Sequence, residues 1–107
     1  MNFDPDKSAL ELSMRGIAWA ELDGAYKALD DATKSILSGI ATNFDGSEAA
    51  KEREARASDE YRYHHLKSLN EARTKAAIAK VNYDVYKTWI EMKRTELSYQ
   101  KAEMGIR

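Results

Sequence analysis

The stretch from Asp59 to Met104 reads as one long helix that is apolar on two sides. Leu69, Ala72, Ala76, Ala79, Tyr83, Tyr86, Ile90, Leu97 and Met104 keep the three- and four-residue steps of a heptad seam. Ile78, Val81, Val85, Trp89, Met92 and Tyr99 form a second set on another side. A helix apolar on two sides has to be covered on two sides. The chain has 107 residues, enough for one domain. A pair of helices from so short a chain encloses little interior, so partner chains often supply the rest.

The remainder of the chain supplies one cover. Asp4-Pro5 reads as a helix start, with Asp4 capping free N–H groups and Pro5 at a position where its missing N–H costs nothing. Helix 1 is predicted over about residues 5–41, with a seam of Ala18, Leu22, Ala25, Leu29, Ala32 and Ile36. Met14, Ile17, Tyr26 and Leu37 widen that stripe. Gly16 and Gly24 sit inside the helix at ~1 kcal/mol each relative to Ala, a cost that close backbone packing would offset. Gly39 can take the left-handed position that ends a helix. Asn43-Phe44-Asp45-Gly46-Ser47 then breaks the pattern, placing the turn at about 42–47, with Asp45 or Ser47 as the next cap.

Helix 2 is predicted over about 48–104. Its first part, EAAKEREARA, has high helix propensity but almost no apolar face. Ala57, Tyr61, His65 and Leu69 step by four each time, a drift out of heptad register that should relax any supercoil there. A short turn between two long helices predicts an all-α fold: an antiparallel, coiled-coil-like hairpin. At 1.5 Å per residue helix 1 spans roughly 52 Å and helix 2 roughly 80 Å, so helix 1 covers helix 2 only to about Tyr83. The uncovered end carries an apolar patch larger than a monomer exposes, which predicts a homo-oligomer through Tyr83, Tyr86, Trp89, Ile90, Leu97 and Met104.

Composition narrows the chemistry. There is no Cys, hence no disulfide, thiolate metal site or thiol nucleophile. Met-Asn-Phe-Asp-Pro-Asp has neither the basic nor the apolar region of a signal peptide, and no apolar run approaches the ~18 residues of a membrane span. The expectation is a cytoplasmic protein with no membrane partner. A Gly-rich phosphate loop and a His-Glu-x-x-His motif are both absent, so no enzyme activity and no cofactor are expected. His64 and His65 are adjacent and point about 100° apart on a helix, a poor arrangement for sharing a metal. A polar, pH-sensitive spot in the seam is the expected role of this pair.

Charge is unevenly spread. Residues 1–60 hold seven Lys/Arg against thirteen Asp/Glu; residues 61–107 hold ten against five. Arg73, Lys80, Lys87, Arg94 and Lys101 recur every seven residues, so all five lie in one row along helix 2. Two functions follow. The row contacts nucleic-acid phosphates, with Tyr83, Tyr86, Trp89 and Tyr99 interleaved for stacking on unpaired bases. Alternatively it flanks a coiled-coil seam and meets acids such as Glu96 and Glu103 on a neighbour, in an interaction or scaffold module without nucleic acid.

Trp19 is followed by Ala20-Glu21, which separates this chain from small secreted hairpins with Trp-x-Gly in the turn. Residues 71–104, EARTKAAIAKVNYDVYKTWIEMKRTELSYQKAEM, resemble the basic, Tyr/Trp-bearing long helices of small phage-encoded recombination accessory proteins, including recombination mediators. The resemblance covers about a third of the chain. It implies a multimeric helical assembly that binds single-stranded DNA and helps load a recombinase, a protein partner.

Overall fold

A computed structural model describes residues 3–105. The described residues are all-α, in four α-helices and one π-helical segment: α1 (Pro5–Asp31), α2 (Thr33–Ala41), α3 (Glu48–Ala57), the π-helix (Glu60–Leu66) and α4 (Lys67–Glu103). They form a rod of 80 × 19 × 19 Å. No helix among the described residues is long and apolar enough to cross a membrane.

The helix starts follow from local chemistry. The Asp4 carboxylate accepts from the N–H groups of Asp6 and Lys7 at 3.0 and 3.1 Å, satisfying donors that have no partner within α1. Ser47, rather than Asp45, caps α3 by accepting from the Ala50 N–H at 3.2 Å. The turn spans residues 42–47, and its left-handed residue is Gly46 (φ 119°). Gly39 stays inside α2, so the helix ends beyond it.

Helix 2 is not continuous. Ser58 takes an extended conformation (ψ 150°) that stops α3. Its hydroxyl donates to the Ala55 carbonyl at 2.6 Å and accepts from the Tyr61 N–H at 3.2 Å, closing one helix and opening the next. The π-helix follows, over the stretch where Ala57, Tyr61, His65 and Leu69 step by four. A π-turn holds more than four residues, so it keeps four-residue steps on one side. Tyr61, His65 and Leu69 are accordingly all buried.

This break changes the pairing of the two arms. Equal rise on both sides of the turn would set Thr33 opposite Arg56 and Gly16 opposite Arg73. Instead the Thr33 hydroxyl lies 2.8 Å from His65 Nε2, and Gly16 lies against the Tyr83 ring. The surplus is taken up near the turn, where Leu37, Ile40, Ala55 and Tyr61 from α2, α3 and the π-helix form the buried cluster. Contacts then run in opposite chain directions along α1 and α4: Tyr26 with Arg73, Trp19 with Tyr83, Arg15 with Tyr86, Phe3 with Trp89. Ser8 and Ile90 are each only 5% exposed, so α1 covers α4 well past Tyr83. From Arg94 to Gly105 every residue is exposed.

The α4 seam from Leu69 to Ile90 has the expected register: Leu69, Ala76, Ala79 and Ile90 are buried, and Ala72, Tyr83 and Tyr86 half-buried. The α1 seam does not. Leu22, Leu29 and Ile36 face inward as expected, but their companions are Trp19, Tyr26 and Thr33, one position on from Ala18, Ala25 and Ala32. Ala18 and Ala25 are exposed. Either row could complete the heptad; the aromatic one removes far more apolar surface from water, since a Trp or Tyr buries ~150–250 Å².

The two helix-interior glycines differ for the same reason. A Cβ on Gly16 would meet Tyr83 Cε2 at 3.3 Å, whereas one on Gly24 would meet nothing within 4 Å. Close packing therefore accounts for Gly16 and not for Gly24. Gly24→Ala should raise stability by ~1 kcal/mol, or about 4–8 °C in melting temperature, and Gly16→Ala by clearly less. Thermal melts of both variants by circular dichroism test this; equal gains would mean that Tyr83 does not confine Gly16. Thr33→Val leaves buried His65 without its hydroxyl partner and should cost ~1–3 kcal/mol in a denaturant titration.

Candidate nucleic-acid interface and apolar face

The two long helices form a layer one helix thick, and its two sides differ. On one side α4 presents Arg73, Lys80, Lys87, Arg94 and Lys101, all exposed. Spaced by seven residues, they lie ~10.5 Å apart along a line of ~42 Å. Arg73 sits 5.4 Å over the Tyr26 ring, with Nε 3.3 Å from the Tyr26 hydroxyl, and Lys80 Nζ sits 5.9 Å from the Trp19 ring. These contacts fix where the row leaves the seam without neutralising it.

Acids do not neutralise it either. Among the described residues the ion pairs are Arg15–Glu11, Lys27–Asp23, Arg56–Glu52 and Lys93–Glu96, each within one helical turn. None includes a member of the row. Asp23, on the α1 flank that faces the row, is held by Lys27 at 2.9 Å. That hydrogen bond and the carboxylate's charge raise the Lys27 pKa above its ordinary value. Asp84 and Glu91 follow Lys80 and Lys87 by four residues on α4, yet neither bridges to them.

The aromatic residues expected beside the row are engaged elsewhere. Tyr83 packs on Trp19 at 5.6 Å, and Tyr86 on Trp89 at 5.4 Å under the Arg15 guanidinium at 4.3 Å. Trp89 also meets Phe3 edge-on at 5.7 Å. With Ile90, these residues are covered by the N-terminal part of the same chain. Of the expected oligomer contacts, Leu97 and Met104 remain open, at 41% and 70% exposure. Tyr99 is exposed, on the side away from the row.

On the opposite side a groove of about 320 Å³ runs between the helices, lined by Arg15, Ala18, Leu22, Lys75, Ile78, Ala79 and Asn82. Arg15 spans it, pairing with Glu11 at 2.8 Å and donating to the Asn82 carbonyl at 3.3 Å. Beyond it on α4 lie Ile78, Val81, Val85, Met92 and Tyr99, all 56% to 68% exposed. Trp19 and Tyr26 as partners of the basic row had a signal in the sequence, since Trp19, Tyr26 and Thr33 repeat every seven residues. The Arg15 clamp had none.

His65 is buried in the seam on Thr33, while His64 is exposed. Among the described residues no group of three or more His, Asp or Glu is placed to hold a metal ion. Comparison with known protein families, curated proteins and solved structures finds no match to this chain.

The row is a surface feature, not a brace. Replacing all five cations by Gln should preserve helicity and cost no more than ~2 kcal/mol, two cation–π contacts at ~0.5–1 kcal/mol each. Circular dichroism and a urea titration check this; loss of the helical signal would show that the row holds α1 in place.

Proposed function

We propose that this protein is a phage-type DNA-recombination accessory factor: a coiled-coil-like helical hairpin that acts as a homo-oligomer and binds single-stranded DNA through Arg73, Lys80, Lys87, Arg94 and Lys101. The observation that carries the reading is the state of the row. Five exposed cations stand in line on one rigid helix, and no acid among the described residues pairs with them. A coiled-coil flank satisfied by its own chain would have used them up. Point charges at even intervals suit phosphates and carry no base readout, so binding is independent of sequence. Tyr83, Tyr86 and Trp89 are packed in the seam, which leaves stacking a minor part. The recombination role comes from the resemblance of residues 71–104.

The alternative, an interaction or scaffold module without nucleic acid, is favoured by the exposed apolar stripe from Ile78 to Tyr99. Salt dependence separates the two. With five phosphates neutralised, the logarithm of the binding constant for a labelled single strand should fall with the logarithm of salt at a slope of about −3.5. Each Lys or Arg replaced by Gln should reduce that slope by about 0.7. Fluorescence anisotropy at several salt concentrations measures both. No binding at low salt, or an unchanged slope in the five-Gln variant, leaves the scaffold reading.

A further inference from the structure

Threonines complete the exposed stripe on α4. Ile78, Val81, Val85, Thr88, Met92, Thr95 and Tyr99 follow one another in steps of three, four, three, four, three and four. This is a second heptad seam, on the side of α4 away from the basic row, and it is open along its whole length. Thr88 and Thr95 do not make it polar. Their hydroxyls donate back to the carbonyls of Asp84 and Glu91, each at 3.0 Å, and are satisfied within α4. Thr74, one heptad before Val81, does the same with Asn70 at 3.0 Å. The threonines can therefore be dried without stranding a donor, and the Tyr99 hydroxyl sits at the end of the stripe.

We infer that this seam is covered by the same seam of a second copy, so that two chains pair apolar side to apolar side. Area supports that occupant. The chain exposes 8267 Å², against ~6000 Å² for a compact monomer of its 12.1 kDa mass. Among the described residues no large side chain is fully buried in a single chain. From Ile78 to Tyr99 the stripe runs ~32 Å, and at the ~10–12 Å diameter of one helix it offers on the order of 350 Å². A stable interface takes roughly 800 Å² from each partner. The stripe supplies the apolar centre of such an interface and the polar flanks of α4 its rim, and a copy of equal length matches it end to end. Ala18 and Ala25 on α1 are exposed and small, so a second layer can approach closely. A heptad seam also asks for a heptad seam as its partner, and this chain carries one free.

The proposal rests on the functional reading only in taking the chain to act as a homo-oligomer, and it replaces the contacts Tyr83, Tyr86, Trp89 and Ile90 with a different face. Its test reads mass rather than DNA binding, so the two fail separately. Light scattering on the full chain should give twice the single-chain mass of 12.1 kDa. Val85→Lys with Met92→Lys should bring it to one, with helicity retained, because both side chains are exposed in the single chain. The five-Gln variant of the basic row should keep the paired mass. Should the Lys variant unfold instead, the wild-type chain decides: its melting temperature must rise with protein concentration. A single-chain mass and a concentration-independent melt overturn the proposal, and so does a folded Lys variant that keeps the wild-type mass.

Discussion

Two helices laid side by side share one seam and cannot surround a side chain. Everything in this protein follows from that limit. The α1–α4 seam removes one face of each helix from water and leaves the rest of a rod 19 Å across exposed. Only near the turn, where α2, α3 and the π-helix meet, does a third element close over Leu37, Ile40, Ala55 and Tyr61. The molecule is anchored at that end and becomes thinner along its length, until α4 runs alone beyond Lys93.

Within the layer, the aromatic residues of α1 act as wedges that sort the surface of α4. Trp19 and Tyr26 turn toward Lys80 and Arg73, whereas Arg15 and Leu22 turn toward Asn82 and Ala79. One flank of the seam thus emerges cationic and the other apolar. The sorting is physical rather than compositional: a net charge of −1 gives no hint that one side carries five unpaired cations.

Periodicity made much of this legible. The cap at Asp4, the turn at 42–47, the α4 seam from Leu69 to Ile90 and the spacing of the basic row all rest on repeats or on local chemistry. The phase of α1 was not legible, because its alanine and aromatic rows lie one residue apart and share Leu22, Leu29 and Ile36. The choice depends on what α4 presents. The break at Ser58 was hidden in EAAKEREARASDE, where only Ser58-Asp59 interrupts strong helix formers. Missing that break shortened the expected reach of α1 by some ten residues and made Trp89 and Ile90 look uncovered. The four-residue steps at Tyr61 and His65 pointed to a change of helical phase at the right place, without showing the form it takes.

The π-helix works as a gear between the two ends of the rod. Upstream, the rotation of the chain is set by the buried cluster at the turn; downstream, it is set by the grip of α1 on α4. One residue fewer in Glu60–Leu66 would turn α4 by ~100° about its own axis. That angle is enough to roll the row of cations toward the seam, where their charge has no water, and to swing the apolar stripe toward the side the cations had held. Which side of the rod is greasy and which is charged is therefore metered by a single residue of backbone, far from both.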